Sequence, residues 1–273
     1  MLLAIDVGNS QINFAIFEHH KLSAQWNAST RPKQSTEALG TWLYSQMKSH
    51  QLDPHEVTGT IICCVVPEIL KTLESLCLIY FNSQALVIGA GNVSLDLTLK
   101  ADNPEEVGAD LMVDAVAGKI WAHPPFLILN MGTATTLSLI NENGDFAGVA
   151  IAPGLNIALE ALSQSAAQLP QISLKRPEKV MATSTVACMQ SGIFWGYIGL
   201  VEGLIARART EYAEADSKTY LPVIASGGLA NLIADDTKIF DFLDPDLTLK
   251  GLEKIYSHNI SLNNNFINNK FIE

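Results

Sequence analysis

Five consecutive residues, Asp6-Val7-Gly8-Asn9-Ser10, hold most of what a nucleotide phosphate site needs. Glycine lets backbone N–H donors come close to phosphate, hydroxyl and amide side chains add donors, and a nucleotide carried with a divalent metal requires a carboxylate nearby. A plain hairpin with Asp and Asn as turn formers has the same composition. A second copy weighs against that reading. The run MGTATT at 131–136 also follows an apolar segment and supplies Gly132, Thr133, Thr135 and Thr136. Two such turns facing each other would hold a polyphosphate from both sides. The copies differ where the first has Asp6 and the second Asn130. Asn keeps a carbonyl oxygen for K+ or for hydrogen bonds but removes a unit charge, an interaction of about 4 kcal/mol at 4 Å with an effective dielectric near 20.

Asp110, in VGAD at 107–110, is a further candidate, although an acid in a first helical turn is also favoured by the helix dipole alone. Asp114, one turn on, reads as solvated or structural. A third glycine feature, LPVIASGGLANLI at 221–233, is a buried strand running into Gly227 and Gly228 and then a helix, so N–H groups at a helix start can face a ligand.

These residues need elements to carry them. Alternation in QINFAIF makes 2–17 a hairpin, with a third strand at 22–28. Leu39, Trp42, Leu43 and Met47 at helical spacing predict a helix over 35–48. TGTIICCVVP at 58–67 is continuously apolar, like a strand covered on both faces; Pro67 then opens a helix over 68–79, and a short strand follows at 84–88. Asn103, Pro104 and two acids predict a helix over 103–122. The three-strand pattern returns at 126–130, 134–140 and 145–152, with helices near 155–164 and 184–213. Asp6 and Asn130 lie 124 residues apart, close to half the chain, as duplication of an α/β unit would leave them. The expectation is two similar domains, 1–122 and 123–256, facing a cleft. A helix ending near Tyr256 and an Asn-rich tail over 257–273 would follow.

Bulk composition narrows the partners. With 48% hydrophobic and 16% charged residues, 273 residues suffice for real cores. Seventeen Lys and Arg against 28 Asp and Glu, with no basic run, disfavour a nucleic-acid surface and point to a small molecule. The longest apolar stretch, 192–206, contains Glu202 and falls short of the roughly 20 residues of a membrane span. With no signal-peptide pattern at the head, the chain is expected in the cytoplasm. Four cysteines without C-x-x-C spacing and six scattered histidines read as packing residues, not metal ligands. Gly192, Gly196, Gly199 and Gly203 line one helical face, and each costs about 0.8–1.0 kcal/mol against alanine. Something must approach that face closely, either the chain's own domain or a second subunit.

The motifs together resemble the type III pantothenate kinases over the whole chain. They are DVGNS at 6–10, NPEEVGAD at 103–110, MGTATT at 131–136, IAPGLNIALEAL at 151–162, AAQLP at 166–170, STVACMQSGIFWGYIGLVEGLI at 184–205, VIASGGLANLI at 223–233 and LTLKGLEKIY at 247–256. The resemblance implies an α/β fold of two duplicated ribonuclease-H-like domains, each a mixed sheet with helices, in the actin-like (ASKHA) superfamily, with the nucleotide between them. It implies ATP-dependent phosphorylation of pantothenate to 4′-phosphopantothenate, the first step of coenzyme A biosynthesis, by a homodimer. ATP contacts map to Asp6, Val7, Gly8, Asn9, Ser10, Gln11, Ile12, Asn13 and Thr133, with Asp6 working with Mg2+. The general base maps to Asp110, and substrate contacts map to Gly108, Ala109 and Thr185.

Four positions depart from the family pattern. Leu111 stands where an arginine would hold the substrate carboxylate, an interaction worth roughly 1.5–3 kcal/mol, or about ten- to a hundredfold in binding. Ala101 replaces a tyrosine of the substrate site, and Val149 replaces the second of two glycines. Asn130 replaces the aspartate that binds a monovalent cation, K+ or NH4+, so cation binding should weaken or vanish. The nucleotide half is better preserved than the substrate half. Two other readings stay open: a regulatory, accessory-factor-like relative that binds nucleotide without phosphorylating pantothenate, and a kinase for another small hydroxyl compound.

Overall fold

The computed structural model describes residues 1–31, 33–166, 168–215 and 220–269. Ala167 of AAQLP and residues 270–273 of the expected tail lie outside the described residues.

In the first sheet, β1 (Leu2–Val7), β2 (Gln11–Glu18) and β3 (Lys21–Ser29) run antiparallel in sequence order. On the other side of β1, β4 (Gly59–Cys64) pairs parallel with it and β5 (Leu86–Val87) parallel with β4. The strand order is β3-β2-β1-β4-β5. Side chains alternate faces along a strand, and both faces here are apolar. Leu3, Ile5, Val7, Ile12, Phe14 and Ile16 pack with residues of α1 (Thr36–Ser49) and α2 (Pro67–Phe81). Leu2, Ala4, Ala15, Ile61 and Cys63 face α3 (Ala109–Gly118) and α7 (Leu247–Asn269), which contribute Val113, Val116, Leu249, Leu252 and Ile255. Local signals set the helix limits: the Ser35 side chain accepts from the Ala38 N–H ahead of α1, and Pro67 opens α2.

The second sheet repeats this plan. β6 (Phe126–Met131), β7 (Ala134–Ile140) and β8 (Phe146–Pro153) are antiparallel, while β9 (Val223–Ser226) runs parallel to β6 and β10 (Phe242–Leu243) parallel to β9. From β8 to β10 the order is β8-β7-β6-β9-β10. Leu127, Leu129 and Met131 pack on Phe194, Tyr197 and Val201 of α5 (Thr185–Ala215). Helices α4 (Leu155–Ser165) and α6 (Ala230–Ile233) follow β8 and β9. Matching order and direction in both sheets make this a duplicated ribonuclease-H-like fold.

The chain divides into two compact units. The first comprises Met1–Leu97, Asn103–Ala117 and the chain from Leu247; the second comprises Thr98–Asp102 and Gly118–Asp246. This division differs from 1–122 and 123–256 because α7 returns to the first unit, where Leu249, Leu252 and Ile255 are buried. Nor does the last helix stop near Tyr256. It continues to Asn269, and buried Asn259, read as tail composition, donates to the Ile255 and Ser94 carbonyls at 2.8 Å each. A second difference concerns 103–122. Asn103 and Pro104 open only a 3₁₀ turn over Pro104–Glu106, with the Asn103 amide donating to Glu106 Oε1. Val107 is extended, and α3 starts at Ala109. Cys63 and Cys77 are buried as expected, but Cys188 is exposed, its thiol donating to the Ala182 carbonyl. Among the described residues no helix is long and apolar enough to cross a membrane.

Candidate active site

Strand register assembles the first half of the site. Asp6 is paired with Asn13 on β2 and with Cys63 on β4, so the three side chains form a row across one face of the sheet. Asn13 Nδ2 donates to Asp6 Oδ2 at 3.2 Å, and Cys63 is the register partner of Asp6 on its other side. The turn beyond Asp6 is closed by Gly8 N–H donating to the Gln11 carbonyl at 2.9 Å. Thr30, just after β3, braces it: its hydroxyl donates to the Gly8 carbonyl at 2.7 Å and its N–H to the Ser10 carbonyl at 3.0 Å. Asn9, Ser10 and Gln11 are exposed at the tip. Val7 and Ile12 are fully buried, so their side chains belong to the core.

Asp110 lies in the first turn of α3, in the same unit as Asp6. Its Oδ1 accepts from the Leu111 N–H at 2.9 Å and lies 2.5 Å from where a Cβ on residue 108 would be. Burial pushes the Asp110 carboxyl above the ordinary carboxylate range. Burial likewise pushes Asp6 up to about 6, against the hydrogen bond from Asn13 and with the negative charge of Asp110 adding to the rise. Two carboxyls raised by burial, one of them also by the charge of the other, are a common mark of a functional site. Asp114 is buried at 1% exposure, not solvated, and accepts from the Thr248 hydroxyl at 2.6 Å. Leu111 is buried at 9% exposure, Ala109 packs in the α3–α7 core, and Ala101 is half-buried within the second unit.

The second unit carries the counterpart row Thr136–Asn130–Ser226, set by β6 pairing with β7 and β9. Its turn is closed the same way, Gly132 N–H donating to the Ala134 carbonyl at 3.0 Å, and Thr133 is exposed on it. Thr135 is not available at this turn as the sequence suggested. It is fully buried, with its hydroxyl 2.7 Å from the Tyr197 hydroxyl. Gly154, before α4, presses on the turn so closely that a Cβ there would lie 2.7 Å from the Gly132 carbonyl oxygen. Gly227 has φ +92°, and a Cβ there would meet the Met131 carbonyl oxygen at 2.5 Å. Three glycine junctions therefore meet around the β6 end. Thr185, first in α5, is exposed.

On α5, a Cβ added at Gly192, Gly196 or Gly199 would meet nothing within 4 Å among the described residues, so these leave that face open. At Gly203 it would lie 3.1 Å from the Arg207 guanidinium. What the sequence did not single out were Cys63 and Thr30, because strand alternation gives a residue's face but not its partner across the sheet.

A family model described as type III pantothenate kinase matches residues 2–207. The type III pantothenate kinase of Paramagnetospirillum magneticum is 43% identical over 259 residues, spanning 95% of this chain and 98% of that protein. Among solved structures, a candidate Baf family transcriptional activator from Campylobacter jejuni superposes with a TM-score of 0.58 at 16% identity, covering 95% of this chain and 99% of that one. A candidate 2-dehydro-3-deoxygalactonokinase from Sinorhizobium meliloti does so with a TM-score of 0.56 at 10% identity, covering 93% and 98%. At those identities the structural likeness speaks for the fold alone.

Proposed function

The chain belongs to the type III pantothenate kinase family, and from that membership we propose that it transfers the terminal phosphoryl group of ATP to the primary hydroxyl of pantothenate. The product is 4′-phosphopantothenate. The observation that carries this reading is 43% identity over 95% of the chain to a named pantothenate kinase, joined to two perturbed carboxyls, Asp6 and Asp110, in one unit.

In this reading Asp110 is the general base. It is anchored by a backbone N–H and kept by burial above the ordinary carboxylate range, which brings its proton affinity closer to the task. The exposed tip Asn9-Ser10-Gln11 and Thr133 serve the nucleotide, with Asp6, Gly8 and Asn13 beneath the first turn and Val7 and Ile12 fixing its backbone. Gly108, Ala109, Leu111, Ala101 and Thr185 are assigned to the acceptor.

Magnesium suits this donor set. Among the described residues no group of three or more acidic, His or Cys side chains makes a protein-only metal site. One carboxylate plus substrate phosphates is how Mg2+ is commonly held, and Asp6, raised to about 6 beside Asp110, would gain from a nearby cation. When bound, Mg2+ neutralises charge on the phosphoryl group in transfer. Asn130 offers oxygen without charge, so we infer little requirement for K+ or NH4+. The open face of Gly192, Gly196 and Gly199, in a unit that also exposes Val149 at 38% and Ile151 at 68%, supports a homodimer, and we infer a cytoplasmic enzyme from the family's soluble substrates. Apolar Leu111 beside the base favours, as second reading, a kinase for a less polar hydroxyl compound.

The test is purified protein with Mg·ATP and pantothenate, product being read by mass spectrometry. Phosphopantothenate should form, and its absence with ATP intact rejects the assignment.

A further inference from the structure

We propose that Asp114 is a positioning residue for Asp110: the hydrogen bond it accepts from Thr248 fixes the register of α3 along α7 and so sets where the Asp110 carboxylate lies. The purpose of this tie rests on the kinase reading; the tie itself does not.

The two acids share one short helix. Asp114 follows Asp110 by one turn in the ten-residue α3, so the two lie on the same side, about 6 Å apart along the axis. Asp110 stands in the first turn, preceded in the helix by Ala109 alone, so its place is set by how the body of α3 is seated. That seat is mostly apolar. Val113 and Val116 pack in one cluster with Leu249, Leu252 and Ile255 of α7 and with Leu2, Ala4 and Ile61 of the sheet. Apolar contact is non-directional, and residue 251 of α7 is glycine: a Cβ there would lie 2.8 Å from the Val113 carbonyl oxygen and 2.9 Å from Ala117 Cβ. The helices therefore meet closely, with no side chain at residue 251 to key one against the other.

Thr248 supplies the key. It precedes Gly251 by almost one turn on α7, and its hydroxyl donates to Asp114 Oδ1 at 2.6 Å. Asp114 is buried, and a buried acid is costly unless its oxygens find donors, so sliding α3 by one residue, about 1.5 Å, would forfeit a bond the site needs. In turn α7 packs on β1 and β4, and β1 carries Asp6. The tie thus seats Asp110 on the frame that holds the other perturbed carboxyl.

A competing account makes the Thr248–Asp114 bond a stability device only. Both accounts predict a lower Tm when the hydroxyl is removed. They part over what else changes in Thr248→Val, which keeps the side chain's shape and loses the donor, and in Thr248→Ser, which keeps the donor.

Steady-state kinetics with pantothenate, run well below the Tm of every variant, are the first readout. Thr248→Val should lower kcat about tenfold with KM for ATP within about twofold, and Thr248→Ser should restore kcat to within about threefold, sizes expected when a reacting group is displaced by a fraction of an ångström. In an Asp110→Asn background Thr248→Val should cost nothing further, because a tie that acts through the base has no base left to place. Unchanged kcat in Thr248→Val, or an equal loss added to that of Asp110→Asn, overturns the proposal. The second readout needs no turnover: the amide resonance of Leu111, whose N–H donates to Asp110 Oδ1, followed by two-dimensional NMR. It should move in Thr248→Val and return in Thr248→Ser. An unmoved resonance overturns the proposal, whereas a moved resonance in a protein that forms no phosphopantothenate upholds the tie and sinks the kinase reading instead.

Discussion

Asn13 Nδ2 lies 3.2 Å from Asp6 Oδ2, across a hairpin in which the two residues are register partners. The candidate metal-binding carboxylate is thus held by sheet pairing, while the residues at the turn tip remain exposed. A rigid strand end carrying an adaptable loop is a suitable platform for a charged ligand, and it stores a cost that can be measured.

That cost sets the behaviour of Asp6→Asn. The folded state raises the Asp6 pKa from 3.8 to about 6, so the fold prefers the neutral acid. The stabilising contribution is full below about pH 3.8 and is lost as pH rises through about 6. Above that, the ionised carboxylate costs on the order of 1–2 kcal/mol, discounted because Asp6 keeps some contact with water. Asp6→Asn should raise the Tm of the ligand-free protein by about 2–6 °C at pH 8, shrinking toward zero at pH 4. Scanning calorimetry at the two pH values decides it; a lower Tm for the variant at pH 8 would contradict the burial argument. Binding of Mg·ATP should fall in the same variant.

Removing the base has a different signature. Asp110→Asn keeps the side chain's size and an oxygen for the Leu111 N–H, but cannot take the hydroxyl proton. Turnover should fall by about 10²–10⁴ while nucleotide affinity stays within about twofold. Unchanged turnover would remove Asp110 from the mechanism.

The duplication, the fold and most elements could be read from the sequence because hydrophobic alternation and the repeated apolar-Gly-hydroxyl turn are local patterns. Asp6 stood out as part of that turn, whereas Asp110 drew its role from the family resemblance, since an acid in a first helical turn is favoured by the helix dipole alone. What escaped depends on tertiary pairing. Cys63 belongs to an apolar run in which nothing marks which residue will meet Asp6 until β4 aligns with β1. Thr135 looked like a member of a hydroxyl cluster, but the pleat turns it to the core and Tyr197. Asn259 looked like tail composition and is a buried tie between α7 and Ser94. The Asn103 helix start failed because Val107 is extended, so α3 begins two residues later, at Ala109.

Leu111 bears on selectivity for the acceptor. A cation gripping the pantothenate carboxylate would make the enzyme about ten- to a hundredfold poorer with the alcohol analogue that lacks it. With a buried leucine at this position, kcat/KM for the alcohol analogue should lie within about tenfold of that for pantothenate. A preference for the acid beyond a hundredfold means that another cation holds the carboxylate.

Asn130 leads to an expectation about salts. The charge that would attract a monovalent cation is missing, so activity at fixed ionic strength should change less than about twofold when Na+ replaces K+. Asn130→Asp should create K+ dependence. Strong K+ activation of the unmodified enzyme would mean that carbonyl oxygens suffice.

The glycines of α5 make the last case, because their cost has to be recovered somewhere. Gly192, Gly196 and Gly199 together cost a helix about 2.4–3 kcal/mol relative to alanine, and among the described residues nothing lies where their Cβ atoms would be. Close approach by a second copy gives the stripe a use, since helix axes come nearer where no side chain intervenes. Gly196→Leu should therefore convert a dimer to monomers in sedimentation velocity at micromolar concentration. It should leave the monomer's helix content intact, because the added side chain meets nothing of its own chain. Were the stripe instead important to the subunit's own fold, Gly196→Leu would lower Tm and helicity without changing the sedimenting species. An unmodified protein that sediments as a monomer would reject the dimer outright.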